Sequence, residues 1–326
     1  MKKIAVLNEF SIEAVRDALQ KLEDFQNLTV NGLTAFQLGE IEKIDPVLFD
    51  EIAKKIKEDR WFPEVGMWCA QKEKVSEANL IKNIIYSAGY FKEKFGKKYR
   101  VFHGDTVYCS YLAQIVYAAE FDACYIKDEK NILWLDSANN SRILVGGAFD
   151  TVDVNDIDDS FISENEFGSF EEEVTALYFT PIQAETVRGD VGTTELTEDE
   201  KLLIEAEKIS VQNGEDRTAE IKKLWTEIFL GNSVKNEAEE IIGGRKADDD
   251  FIKFDTDEVI LTEMKYAEDG SGEVIIRIRE TAGKEKTLFV MCDKLNAGFR
   301  CEILPYELQS FRIDSEGFVT EIFIAE

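Results

Sequence analysis

The segment from Arg60 to Ser110 constrains the fold most strongly, because its pattern alternates between strand and helix. Stretches over Arg60 to Cys69 and over Tyr99 to His103 are typical of strands, and the segment between them, about Ser76 to Phe95, has helical periodicity. A strand, a crossover helix and a second strand ending at a carboxylate form the unit in which α/β barrels and open α/β sheets place their chemistry. Asp105, which follows the second strand, is therefore a candidate site residue.

The charge and length of the chain limit its partners. With 326 residues, 44% of them hydrophobic, it is long enough for a large core and for two or more domains. A net charge of −28 argues against nucleic acid and anionic membranes as partners, because both would be repelled at long range. Cationic partners remain possible on this criterion, although solubility alone also explains an acidic surface.

The compartment is predicted from the first residues and from the cysteines. The apolar run that begins at Ile4 is interrupted by Asn8 and Glu9, so it does not form a signal peptide, and no apolar run reaches the length of about 18 residues that a membrane helix needs. The five cysteines are scattered and lack CxxC spacing. We therefore expect reduced cysteines in a cytoplasmic protein.

Three regions are expected along the chain. Strand and helix patterns alternate over residues 1–195, which predicts an α/β, barrel-like domain. Three amphipathic helices joined by short turns predict a three-helix bundle over residues 196–246. Residues 250–326 read as a small C-terminal antiparallel β-domain, beginning with a hairpin around Asp269-Gly270.

An acidic stretch runs from Asp150 to Glu173. A cation site is one interpretation, but the spacing lacks the glycine at position six and the terminal glutamate of a calcium loop. A solvated acidic loop is the expected structure.

Several motifs resemble the α-mannosidases of glycoside hydrolase family 38, in the order in which that family has them. They are Val65-Gly66-Met67-Trp68, Asn79-Leu80-Ile81-Lys82, Gly104-Asp105-Thr106, the strand pair around Trp134 and Arg142, Arg188-Gly189 with Gly192-Thr193, Leu202 to Lys208, and Leu304 to Arg312. The resemblance implies a partial (β/α) barrel followed by a helical bundle and a β-domain. It also implies a carbohydrate or glycoside ligand.

The resemblance assigns roles to a few residues. In the family, the aspartate at the place of Asp105 is the nucleophile and also a ligand of the active-site zinc. Trp68 and Trp134 could each present an aromatic face to a sugar, although both could equally be core residues. Arg188 could anchor an anionic group, with surface ion pairing as the other interpretation. Asp105 could also be only a helix cap.

The sequence departs from the family pattern at the other zinc ligands. The family's His-x-Asp at the end of the first strand is replaced by Asn8-Glu9-Phe10, and its Phe-His-Asp in the bundle by Phe229-Leu230-Gly231. His103 is the single histidine of the chain, and it is expected to be a core or rim residue. A site of two histidines and two aspartates cannot be built from one histidine.

Two main hypotheses remain at this stage, beside a third, a pure interaction module with an exposed apolar patch. The first is a non-catalytic descendant that binds carbohydrate or serves as a partner or regulatory subunit, with no cofactor. The second is an active glycosidase of mannosides, with Asp105 as nucleophile and a metal, zinc in the family, in a rebuilt site. A retaining glycosidase also needs an acid/base carboxylate about 5 to 5.5 Å from the nucleophile, and the sequence offers no counterpart of it. A homo-oligomer or a partner chain is compatible with both hypotheses.

Overall fold

The computed structural model describes residues 2–69, 75–104, 112–126, 149–170, 172–173 and 195–324, and the backbone of 133–136, 142–146 and 185–188. The helices are α1 (Ile12–Asp24), α2 (Ala35–Ile44), α3 (Pro46–Lys57), α4 (Glu77–Phe95), α5 (Leu112–Ala118), α6 (Asp159–Glu164), α7 (Glu198–Asn213), α8 (Thr218–Phe229) and α9 (Lys235–Ile242). The first nine strands are β1 (Ile4–Val6), β2 (Val30–Thr34), β3 (Trp61–Glu64), β4 (Val101–Gly104), β5 (Ala123–Ile126), β6 (Leu133–Asp136), β7 (Arg142–Gly146), β8 (Thr151–Asp153) and β9 (Glu185–Arg188). The last seven are β10 (Lys253–Phe254), β11 (Val259–Tyr266), β12 (Val274–Glu280), β13 (Lys286–Cys292), β14 (Ala297–Ile303), β15 (Leu308–Ile313) and β16 (Val319–Ile322).

Two sheets form the amino-terminal α/β region. The strands β3-β2-β1-β8 are all parallel, and β4-β5-β7-β6-β9 form a mixed sheet in which only the β6–β7 pair is antiparallel. A backbone hydrogen bond of 2.7 Å from the His103 N–H to the Val65 carbonyl joins β4 to the segment that follows β3. The two sheets therefore meet beside Gly66, whose φ of +123° favours glycine and whose Cα faces the Phe102 ring.

The mixed α/β fold with several sheets agrees with the sequence-based expectation, but some elements differ. The strand predicted over Arg60 to Cys69 is shorter in the structure, where β3 comprises Trp61–Glu64 and pairs with β2. The strand β2 and the helix α2 were missed; β2 contains Asn31 and Gly32, which are uncommon in strands, and all five of its residues are buried. The acidic stretch is not simply a loop, because it contains β8 and α6, with Asp158 capping α6.

Three consecutive helices and an antiparallel region complete the fold. The helix α7 begins with a capping box formed by Thr197 and Glu200. The strands β11-β12-β15-β16 form one antiparallel sheet, and β10-β13-β14 form another. The apolar residues of these two sheets pack into one core, whereas the α/β region and the three helices share another. Among the described residues, no helix is both long enough and apolar enough to cross a membrane.

Candidate functional site

The carboxyl ends of the parallel strands carry few chemically useful side chains in the described part of the chain. Asn8 and Glu9 follow β1 shortly after its end and are exposed. Thr34 ends β2 and is used as the N-cap of α2, its hydroxyl accepting a hydrogen bond from the Gln37 N–H. Among the described residues, the carboxyl ends of this sheet provide three carboxylates, Glu9 after β1, Glu64 at the end of β3 and Asp153 at the end of β8, and no imidazole.

The structure describes no side chain for three of the predicted site residues. Asp105 directly follows Gly104 at the end of β4 and lies outside the described residues. Trp134 and Arg188 belong to the neighbouring strands β6 and β9, which pair in parallel, but their side chains lie outside the description. The roles assigned to these three residues by the family resemblance remain predictions.

His103 is buried in β4 and is only 8% exposed. Its ring contacts the rings of Tyr125 and Phe170, with centroid distances of 5.8 and 5.4 Å. Burial lowers the pKa of His103 to about 4, so the imidazole is neutral near pH 7. The single histidine of the chain is thus part of an aromatic cluster rather than of a polar site.

Trp68 lines an open groove of about 240 Å³ between α2 and α4. Its ring stands nearly perpendicular to those of Tyr90 and Tyr86, at centroid distances of 5.9 and 6.3 Å. The groove, called the Trp68 groove below, is lined by Phe36, Gly39, Glu40, Glu42, Lys43, Trp68 and Tyr90. Among the predicted site residues, Trp68 is the one whose side chain the structure places in a cavity.

The backbone of Trp68 is held rigidly. Its N–H donates to Asn83 Oδ1 at 3.0 Å, and its carbonyl accepts from the Phe36 N–H at 2.9 Å. These bonds join α4 and the start of α2 to the segment after β3. The backbone of Trp68 is therefore tied to both of the helices that border the groove.

Two donors of the Trp68 groove have no hydrogen-bond partner among the described residues. They are Trp68 Nε1 and the Tyr90 hydroxyl, both buried from solvent. The carboxylates at the rim are paired with lysines: Glu40 with Lys43 and Glu42 with Lys94, each at 2.7 Å. Buried donors without an acceptor are uncommon in native proteins.

A buried cluster of charged side chains lies between α4, α7 and the strands β11 and β12. Sequence reasoning missed this cluster. Lys82 Nζ lies 2.5 Å from Glu207 Oε1 and also contacts Glu263 of β11, and Glu263 contacts Arg277 of β12. Trp225 Nε1 donates to Glu207 at 3.2 Å. Burial lowers the pKa of Lys82 to about 7, against the opposing effect of Glu207.

The described residues do not fit the zinc site that the family resemblance implies. No group of three His, Cys, Asp or Glu side chains that could hold a metal lies within the described ranges. The chain as a whole has one histidine, and it is packed against aromatic rings. The donor set of two histidines and two aspartates is therefore not available in this sequence.

Comparison with known proteins relates the chain to one family. Residues 12–133 match the model of the glycosyl hydrolases family 38 N-terminal domain. An α-mannosidase from Enterococcus faecalis V583 is structurally similar, with a TM-score of 0.56 at 10% identity, over 96% of this chain and 56% of that one. A family 38 glycosyl hydrolase from Enterococcus faecalis gives 0.53 at 9% identity, over 97% of this chain and 55% of that one.

The curated proteins contain no significant match to this sequence. The chain spans a little over half the length of the two similar structures, which share its fold at low sequence identity. The resemblance seen in the sequence motifs is confirmed by the match over residues 12–133 and by the fold. Residues 12–133 are therefore similar to the glycosyl hydrolases family 38 N-terminal domain, and the chain shares its fold with two family 38 structures.

Proposed function

We propose that this chain is a non-catalytic relative of the α-mannosidases that binds carbohydrate. The observation that carries the proposal is the Trp68 groove, in which aromatic rings lie beside two buried donors without acceptors. Sugars present an apolar C–H face to aromatic rings and hydroxyl oxygens to donors. A volume of about 240 Å³ is smaller than that of most drug-sized pockets, about 300 to 1,000 Å³, and suits a single sugar ring.

The residues at the family's zinc-ligand places support the non-catalytic part of the proposal. Asn8 and Glu9 stand where the resemblance expects His-x-Asp, and Phe229 to Gly231 stand where it expects Phe-His-Asp. His103 is buried against the rings of Tyr125 and Phe170, so the one imidazole of the chain lies in an aromatic cluster. Asp105 alone keeps the identity of a family ligand.

The proposal also covers the division of the chain into domains, its partners and its cellular compartment. We infer a partial (β/α) barrel over residues 1–195, a three-helix bundle over 196–246 and a C-terminal β-domain over 250–326. A partner or regulatory role, in a homo-oligomer or with another chain, is compatible with carbohydrate binding. Among the described residues, Cys69, Cys292 and Cys301 are free thiols, which supports a reducing, cytoplasmic setting.

Binding is tested by calorimetric titration with methyl α-mannoside and with α-linked mannobiose. We expect Trp68→Ala to weaken binding at least tenfold, because it removes the ring and its donor. Tyr90→Phe removes one hydroxyl and should weaken binding about three- to tenfold, since a neutral hydrogen bond contributes about 0.5 to 1.5 kcal/mol. The matched control is Phe318→Ala, an aromatic side chain that is 68% exposed and not among the residues that line the groove. Equal affinities in all four proteins, or no heat with either sugar, would contradict the groove as the binding site.

The non-catalytic part is tested separately with aryl α-mannosides, with and without added zinc. We expect no turnover in either condition. Turnover that is lost in Asp105→Asn would instead support the active glycosidase, with Asp105 as nucleophile and a rebuilt metal site. Because the binding titration and the hydrolysis assay use different readouts, one half of the proposal can fail while the other stands.

A further inference from the structure

A second cleft, of about 340 Å³, lies between α5 and the strands β15 and β16. Buried Leu308 and Ile324 line it together with two exposed aromatic residues, Tyr117 at 61% and Phe323 at 51% exposure. The Ile324 N–H donates to the Ala118 carbonyl at 3.1 Å and ties the segment that follows β16 to α5. This cavity, called the α5–β16 cleft, is separate from the Trp68 groove, with which it shares no lining residue.

Two carboxylates of the α5–β16 cleft, Glu307 and Glu321, have no cationic partner among the described residues. Glu307 accepts hydrogen bonds only from neutral donors, the Leu304 N–H at 2.7 Å and Gln309 Nε2 at 3.2 Å. Burial raises the pKa of Glu307, and the nearby Glu321 carboxylate adds to that rise. Most other partly buried carboxylates of the C-terminal sheets are paired, as Glu258 is with two lysines. The cleft is therefore left with uncompensated negative charge.

The combination of apolar lining, aromatic walls and unpaired carboxylates selects one kind of ligand. An arginine side chain can pair with a carboxylate through its planar guanidinium and stack on an aromatic ring at the same time. In the described chain, β16 pairs with β15 on one side only, so its other edge offers backbone groups to an extended peptide. A second copy of this chain fits less well, because each copy carries a net charge of −28.

We propose that the α5–β16 cleft binds an extended segment of a partner protein in which an arginine lies beside an aromatic or aliphatic side chain. The guanidinium would pair with Glu307 and Glu321, and the neighbouring apolar side chain would contact Tyr117 and Phe323. This site is independent of carbohydrate binding, since it uses none of the residues of the Trp68 groove.

The test uses the full chain and a fluorescein-labelled peptide, Gly-Leu-Arg-Phe-Gly, followed by fluorescence anisotropy. A citrulline peptide, which keeps the shape of arginine without its charge, is the matched ligand control. We expect Glu321→Lys and Tyr117→Ala each to weaken binding at least tenfold, and the citrulline peptide to bind at least tenfold more weakly. Both positions are exposed, so neither substitution should disturb folding. Glu237→Lys, at an exposed position of α9, makes the same charge change outside the cleft and should have little effect.

Each contrary result overturns the proposal. If the arginine and citrulline peptides bind equally, or neither binds at millimolar concentration, the cleft does not recognise a guanidinium. If Glu237→Lys weakens binding as much as Glu321→Lys, the peptide follows the overall charge rather than the cleft. If sedimentation shows a self-association that Tyr117→Ala and Phe323→Ala abolish, the occupant is a second copy of this chain.

Discussion

At the scale of the residue, His103 offers a pH dependence that can be attributed to one side chain. Burial lowers its pKa from 6.5 to about 4, so the unfolded chain binds more protons than the folded one between these values. The stability that depends on the neutral ring is therefore complete above about pH 6.5 and is lost as the pH falls through 4. From this shift we expect about 2 kcal/mol less stability at pH 5 than at pH 7 from this residue.

Urea denaturation of the native chain and of His103→Phe at pH 7 and pH 5 measures this effect. The variant fills the aromatic cluster without a titrating group, so its loss of stability between the two pH values should be smaller by that amount. Since the chain has one histidine, its imidazole proton signals can also be titrated by NMR without further assignment. A midpoint near 6.5 in the folded protein would show that the ring is not desolvated as the structure indicates.

The candidate site was predictable from the sequence only where a single residue carried the signal. Trp68 was recognised from its motif, but Phe36 and Tyr90, which line the groove with it, come from helices before and after it in the chain. Their proximity depends on how α2 and α4 pack, and short-range periodicity does not contain that information. Nor did the sequence indicate that the Glu307 and Glu321 carboxylates lack a cationic partner among the described residues, because pairing depends on which side chains the fold brings together.

At the scale of the element, α4 shows what periodicity predicts and what it misses. Its start after Ser76 and its end at Phe95 agree with the sequence-based prediction, and Leu80, Ile84 and Phe91 are buried on one face. A second, polar face is also buried and includes Asn79 and Lys82. Its partners lie more than 100 residues later, on α7 and β11, so the pattern of α4 alone gave no reason to expect burial there.

Glu200 connects two helices and should therefore contribute more than an ordinary cap. Its Oε2 accepts from the Thr197 N–H at 2.8 Å, and its Oε1 accepts from Ser76 Oγ and Asn79 Nδ2 of α4, each at 3.0 Å. We expect Glu200→Ala to lower the free energy of unfolding by about 2 to 4 kcal/mol, since it removes a cap and the shared acceptor of two buried donors.

The comparison for Glu200 is Thr197→Ala, which removes only the cap of α7. It should cost about 1 kcal/mol in the same urea titration. Hydrogen exchange should show faster opening at the starts of both α4 and α7 in Glu200→Ala, but only of α7 in Thr197→Ala. If the two variants are equally destabilised, the bonds to α4 add nothing and the connection between the helices lies in their apolar contacts.

At the scale of the whole molecule, buried ion pairs join the two larger of the three apolar cores that the described residues form. One core spans the α/β region and the three helices, and the other fills the space between the two antiparallel sheets. Lys82 with Glu263, and Glu77 with Arg279 at 2.5 Å, cross from α4 to the C-terminal sheets. Composition predicted that the chain could hold more than one core, but not that charged side chains would connect them.

These ion pairs should make the two cores unfold together. Removing one partner of a buried pair leaves the other charge uncompensated, at a cost of about 3 to 5 kcal/mol. We therefore expect one calorimetric transition for the native chain and two for the double variant Lys82→Met with Arg279→Met. Lys43→Met with Lys201→Met removes two exposed cations and should keep one transition. If the first double variant also unfolds in one step at a lower temperature, Leu308 and Ile324, which pack into the first core from the C-terminal region, are sufficient to couple the two.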